Sequence, residues 1–252
     1  MGELAETTFM KPAVGTLRVY DDAGALARGA AEFVCDIATR KPGQVRIALA
    51  GGETPKAAYR LLAADPLVHE MPWDRVHWLF GDERFVPASD AASNYGMARA
   101  AFLSRVPAPA ANIHPVPTEG LDPDAAATAY EATLKRLYGS DALRIDRPLL
   151  DVALLGLGSD GHTASLLPAT PVLAEHARWV APVPHGRSEA RITLTYPALN
   201  SSRVLAFLVS GEGKRDILDR LLSGDTSLPA GRLQPVGDII WFADRAAAGR
   251  WC

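Results

Sequence analysis

Two cysteines in 252 residues, Cys35 and Cys252, are too few to staple a fold. Cys35 falls in an apolar helical pattern and Cys252 is the last residue, so no disulfide framework is expected and a reducing cytoplasm is the expected compartment. Long apolar runs are also missing: none approaches the roughly 18 residues that span a bilayer. The N-terminus, with Glu3 and Glu6 and no basic segment, does not read as a secretion signal, and no membrane partner is expected. Charge of one sign is not in excess either. The 26 basic and 29 acidic residues give no bulk field that would attract nucleic acid, so an anionic ligand has to be met by a local cluster. Internal repeats, low-complexity stretches and a flexible linker are absent, and with 48% apolar residues the chain reads as a single domain over 1–252.

What is present is an alternation of strand and helix signals. Thr16–Tyr20 alternates like a strand, Asp21-Asp22 offers an N-cap, and Leu26, Ala30, Phe33, Val34 and Ile37 share one face of a helix over Ala25–Thr39. The residues before Thr16 are expected to be mobile. Short apolar strands follow at Val45–Ala50 and Val76–Phe80. A proline-rich connection from Pro107 to Pro123 is expected to hold a short strand near Ile113, and a helix runs from Asp124 to Tyr138 until Gly139 ends it. Leu149–Leu155, apolar but for Asp151, and Val204–Val209 are runs of the kind buried on both faces of a parallel sheet. Val172–Ala177 reads as helical, Trp179–Val183 and Ala190–Thr195 as antiparallel partners at one edge, and Ile239–Phe242 as a closing strand before a short helix begun by Asp244. The fold class is α/β: a Rossmann-like, doubly wound, mostly parallel sheet with helices on both faces and a small antiparallel edge.

Polar chemistry concentrates where these strands end. After Leu155 the chain reads Gly156-Leu157-Gly158-Ser159-Asp160-Gly161-His162, which delivers an acid and a titratable imidazole to the carboxyl end of a central strand. After Ala50 comes Gly51-Gly52-Glu53-Thr54-Pro55, with Thr54 as the expected N-cap and Pro55 as the first helical residue, a turn whose backbone N–H groups suit a phosphate. The pattern is neither of the common nucleotide-binding loops. After Phe80 stand Asp82, Glu83 and Arg84 in a charged loop. There Arg84 can clamp a phosphate in its planar fork, while Asp82 accepts sugar hydroxyls or organises the loop. Asn94 then stands in a capping position before a helical stretch through Phe102. After Val209, Lys214 lies in the first turn of a helix, where a cation is disfavoured unless an anion shares the site. Each feature alone has a plain structural reading as a tight turn, a solvated loop, a cap or an exposed lysine. A parallel sheet, however, gathers all four strand ends at one edge, where they can surround one pocket.

These stretches resemble the glucosamine-6-phosphate isomerase/6-phosphogluconolactonase family over nearly the whole chain. Gly51–Pro55 is similar to its G-G-x-T-P loop, Asp82–Pro87 to D-E-R-x-V-P, and Ser93-Asn94 to the S-N that follows. Gly156–Pro168 is similar to G-x-G-x-D-G-H-x-A-S-L-x-P, Arg191–Thr195 to R-I-T-L-T, and Ser210–Lys214 to S-G-x-x-K. Glu53 departs from the pattern, where serine is more usual. A carboxylate beside a phosphate is repelled, so its side chain is expected to point away.

The resemblance implies hydrolysis of 6-phospho-D-glucono-1,5-lactone, a small phosphosugar lactone, with no metal and no organic cofactor. In that reading His162 acts on water at C1 and Asp160 supports it, while Gly51, Gly52, Thr54, Asp82, Arg84, Asn94 and Lys214 hold substrate. The donor to the oxyanion and the oligomeric state stay open, a monomer being compatible. Two other readings stand beside it. The deaminase/isomerase branch carries a glutamate where this chain has Leu167, and a tyrosine where it has Arg84. A non-enzymatic sugar-phosphate sensor needs Arg84 and Lys214 but not His162, and no DNA-binding or partner segment is evident.

Overall fold

The structure, a computed structural model, describes residues 12–252. Glu3, Glu6 and most of the stretch expected to be mobile lie outside the described residues. The chain runs through β1 (Thr16–Tyr20), α1 (Ala23–Arg40), β2 (Val45–Leu49), α2 (Glu53–Leu62), α3 (Leu67–Glu70), β3 (Val76–Phe80) and β4 (Asp82–Arg84). It continues with α4 (Asn94–Ala98), α5 (Pro123–Tyr138), β5 (Leu150–Leu155), β6 (Val180–Val183), β7 (Arg191–Leu194) and α6 (Tyr196–Asn200). The last elements are β8 (Ser202–Val209), α7 (Arg215–Leu222), β9 (Asp238–Asp244) and α8 (Arg245–Ala248).

Six strands form one sheet in the order β1-β9-β8-β5-β2-β3, and every pairing in it is parallel. The middle of that sheet explains its stability. All six residues of β5 are buried, and each Leu or Val so removed from water contributes roughly 1.5–3 kcal/mol. A strand anchored that firmly gives the polar loop after it a fixed point of departure. From β1 through β2 to β3 the chain travels toward one edge; from β3 through β5 and β8 to β9 it travels back. Right-handed crossovers therefore place α1 and α2, which pack on each other, over one face, and α5 and α7 over the other. The direction reverses between the neighbours β2 and β5, and a crevice opens beyond their carboxyl ends.

The small antiparallel part is a separate sheet of order β4-β7-β6. Its first strand is Asp82–Arg84, the segment expected to be a solvated loop. Those residues are drawn into a ladder because β7 offers an antiparallel edge and Glu83 finds enough donors to be buried. Two further expectations shrink. The strand near Ile113 is a single bridge to Trp78, flanked by a 3₁₀ turn, and Val172–Ala177 is a 3₁₀ turn over Pro171–Ala174. Near Ile113, Pro115 and Pro117 deprive the backbone of donors needed to extend the strand. Caps follow local chemistry: Asp22 accepts from Ala25 N and Asp244 from Ala247 N, each at 2.8 Å. Cys35 and Cys252 are both free thiols. Among the described residues no helix is long and apolar enough to cross a membrane.

Candidate functional site

A cleft of about 350 Å³ opens at the sheet's reversal point, walled by the ends of β2, β5 and β8 and by the small sheet. Gly51, Gly52 and Thr54 reach it from the β2–α2 turn; Asp82, Arg84 and Asn94 from β4 and α4; His162 from the loop after β5; and Lys214 from the loop after β8. Asp160 does not line the cleft but stands behind His162.

The loop after β5 is built to present the imidazole. Gly158 N donates to His162 O at 2.8 Å, Gly161 N to Gly158 O at 3.0 Å, and Thr163 Oγ1 to Gly156 O at 2.8 Å. Gly158 has to be glycine, because a Cβ there would come 2.0 Å from His162 Nδ1. Asp160 Oδ1 bonds His162 Nδ1 and also accepts from the His162 backbone N. An ionised carboxylate can only accept, so the shared proton sits on Nδ1 and the lone pair on Nε2. Nε2 has no partner among the described residues. Burial works against ionising Asp160, but hydrogen bonds from Arg187 and His162 outweigh it and hold the carboxyl well below the usual carboxylate range.

Facing this loop is a pair of arginines. Arg84 on β4 and Arg191 on β7 stand opposite each other in register, and both line the cleft. Arg84 Nη1 donates to Ala92 O at 2.6 Å, and Arg191 Nη1 lies 4.0 Å from Asp82 Oδ2. The Nε–H of each guanidinium is buried and without an acceptor among the described residues. Burial pulls the Arg191 guanidinium below its usual range; Asp82 opposes that and Arg84 adds to it. Two adjacent cations with unanswered donors are costly unless an anion joins them. The ammonium of Lys214 likewise has no carboxylate partner among the described residues.

Other residues organise the walls. Asp82 is buried, accepting from Ser165 Oγ at 2.6 Å and from Asn94 Nδ2 at 3.2 Å, so it clasps the loop after β5 to the small sheet. It also lines the cleft. Glu83 accepts from the backbone N of Arg84, Asn94 and Tyr95 and from Ser93 Oγ, satisfying the start of α4. Its burial raises the carboxyl's affinity for a proton, and those bonds counter it. Ser93, not Asn94, caps α4 by accepting from Gly96 N at 3.0 Å. Asn94 is instead turned inward, donating to Asp82 O at 2.8 Å and pressing on Gly51, where a Cβ would meet its Oδ1 at 2.0 Å.

Two expected helix starts shift. Gly52, at φ 104°, is the N-cap of α2, Glu53 begins the helix, and Thr54 makes no capping bond. The glycine turns the chain directly into the helix, which frees the Thr54 side chain to line the cleft. Glu53 is 84% exposed and its carboxylate pairs with Lys56 at 3.0 Å, although the residue also lines the cleft. Lys214 ends a 3₁₀ turn over Glu212–Lys214 and occupies the N-cap position of α7, one residue before the helix proper.

Sequence reasoning gave no role to Arg191, Arg187 or Glu83. Arg191 was visible as an arginine heading a mostly apolar strand. Arg187 carried no local signal, since its partner lies 27 residues away, and Glu83 was visible only as the middle of a charged triplet, its partners Ser93, Asn94 and Tyr95 lying ten to twelve residues on.

An open parallel sheet with a strand-end cleft that sets a carboxylate-held imidazole against a cationic wall defines an α/β enzyme for a small anionic substrate. The chain belongs to the glucosamine-6-phosphate isomerase/6-phosphogluconolactonase family, whose model matches residues 21–241. It is 39% identical to the 6-phosphogluconolactonase of Nostoc sp. over 238 residues, 92% of this chain and 96% of that one. To the 6-phosphogluconolactonase of Synechocystis sp. it is 41% identical over 208 residues, 81% and 84% of the two chains. Among solved structures, 6-phosphogluconolactonase from Trypanosoma cruzi superposes with a TM-score of 0.81 at 28% identity, covering 96% of this chain and 98% of that one.

Proposed function

We propose that this protein hydrolyses 6-phospho-D-glucono-1,5-lactone to 6-phospho-D-gluconate, the second step of the oxidative pentose phosphate pathway. The observation that carries the mechanism is the juxtaposition in one cleft of His162, its Nε2 free and its Nδ1 held by Asp160, with Arg84, Arg191 and Lys214. The basic groups and the N–H groups of the Gly51-Gly52 turn bind the phosphate at C6. Thr54 adds a hydroxyl, and Asn94 fixes the turn's wall through Gly51.

His162 Nε2 takes a proton from water as the oxygen attacks the lactone carbonyl at C1. The tetrahedral intermediate carries negative charge on the former carbonyl oxygen. When it collapses, the bond from C1 to the ring oxygen breaks, and the proton held on Nε2 passes to that departing oxygen. The balance is one lactone and one water giving one hydroxy acid, with the imidazole returned to its starting form. Asp160 stabilises the transient imidazolium without taking its proton. No carboxylate stands where the deaminase reading needs one: Leu167 is buried among apolar neighbours.

The experiment is His162→Ala assayed on freshly generated phosphogluconolactone with the spontaneous rate subtracted. The expected result is a loss of enzymatic rate on the order of 10²–10⁴-fold, with 6-phosphogluconate still bound. Retention of full activity would refute the base assignment. Glucosamine 6-phosphate, offered in parallel, is expected to release no ammonia.

A further inference from the structure

One more charged side chain reaches the Asp160–His162 pair, from the segment that joins β6 to β7. Arg187 Nη2 donates to Asp160 Oδ2 at 2.8 Å and lies 3.3 Å from His162 Nδ1, while Nη1 donates to Gly186 O at 3.0 Å. Arg187 is not part of the cleft wall. We infer that Arg187 is a positioning residue for the hydrolysis: it fixes Asp160 through the oxygen the imidazole does not use, and so holds the His162 ring aimed at the cleft. This inference rests on the reading of His162 as the base.

The geometry supplies two reasons. First, the carboxylate is divided: Oδ1 serves the imidazole and Oδ2 serves the guanidinium. Asp160 is 37% exposed, so without Arg187 its free oxygen faces water and the side chain is at liberty to turn. Second, Arg187 lies 3.3 Å from the same ring nitrogen, and two N–H donors at that distance cannot bond each other. Both donors therefore converge on Asp160, one on each oxygen, and the carboxylate is held between them.

On the same segment the charged or ionisable neighbours are His185 and Glu189, and Arg191 heads β7. On the other side Leu228 packs against Gly161 and brings no charge. The segment is seated by Gly186, where a Cβ would come 3.2 Å from both Leu167 and Thr170, so Arg187 departs from a fixed backbone. The small sheet thus contributes Arg191 in front of the imidazole's cleft and Arg187 behind the imidazole.

The test compares Arg187→Gln and Arg187→Lys with the unaltered protein. It measures kcat and KM on fresh phosphogluconolactone, product binding by calorimetry, and thermal unfolding. Arg187→Gln is expected to lower kcat on the order of tenfold. KM and product affinity are expected to change less than about threefold, and Arg187→Lys to restore most of kcat. Unchanged kcat in Arg187→Gln would overturn the inference. So would a loss confined to KM and product affinity, or one that follows a fall in unfolding temperature in both variants. His162→Ala run alongside separates the two readings: an inactive His162→Ala with an unaffected Arg187→Gln removes only the role of Arg187.

Discussion

Replacing Gly158 by alanine perturbs the imidazole without replacing any titratable group. The new Cβ would sit 2.0 Å from His162 Nδ1, 2.2 Å from Cε1 and 2.6 Å from Asp160 Oδ1. Comfortable contact needs about 3.5 Å, so the ring has to retreat by roughly 1–1.5 Å or rotate away from Asp160. Gly158 is not among the glycines with left-handed backbone, so alanine is tolerated by the main chain itself. The ring that must move is partly exposed and has somewhere to go, so the stability cost is held to about 1 kcal/mol, or roughly 2–4 °C in Tm. Activity is more sensitive: a displacement of about 1 Å in a reacting group costs on the order of 10²-fold. The assay is kcat on fresh phosphogluconolactone together with product affinity and Tm. A protein with normal Tm, normal product binding and a rate lowered about a hundredfold is expected. A fully active Gly158→Ala would refute the claim that His162 must hold this position against Asp160.

Other perturbations probe the remaining parts of the site and the fold. Arg191→Gln removes a charge-assisted donor worth about 1.5–3 kcal/mol, so KM for the phosphorylated lactone is expected to rise roughly 10–100-fold. Turnover of the unphosphorylated lactone should hardly change; equal losses on both substrates would remove Arg191 from phosphate binding. Glu83→Gln leaves at least one of four buried or half-buried donors without an acceptor, costing about 1–3 kcal/mol and lowering Tm by roughly 3–10 °C, with an unchanged Tm as the contrary result. At the edge of the main sheet, His77 Nδ1 and His114 Nε2 lie 2.9 Å apart, and burial, reinforced by His77, lowers the His114 imidazole to about 4 from 6.5. The unfolded chain therefore takes up that proton first, and stability is lost as pH falls from 6.5 toward 4. Both rings are only half-buried, so screening leaves roughly 1–2 kcal/mol, to be read from urea unfolding of the protein and of His114→Gln across that range. Parallel curves for the two proteins would contradict the assignment.

The order of strands and helices was legible in the amino-acid sequence because each element carries its own local signal. The largely apolar run ending at Leu155, the Asp22 and Asp244 caps and the glycine that stops α5 all act over a turn or two of chain. The four polar strand ends were legible for the same reason, since a parallel sheet places every carboxyl end at one edge. Where a signal was local but ambiguous, the fold chose. Gly52 displaced Thr54 as the cap of α2, and Ser93 did the same to Asn94. The charged triplet Asp82–Arg84 became a strand because a partner edge lay far along the chain.

What only the tertiary structure decided are the pairings between residues remote in sequence. Arg84 meets Arg191 across β4 and β7, Ser165 reaches Asp82, and Arg187 reaches Asp160. Composition and periodicity report what each segment prefers with its own neighbours. They do not report which side chain a distant segment will set beside it. The sequence by itself thus determined an α/β sheet with a glycine-flanked acid and imidazole at a strand end. The folded chain determined that the imidazole's acid is shared with a guanidinium, and that two further guanidinium groups stand together in the wall of the same cleft. The physical reason is range: helix, strand and cap energies act over a few residues, whereas charge pairing and hydrogen bonding act through space once packing has brought the groups together.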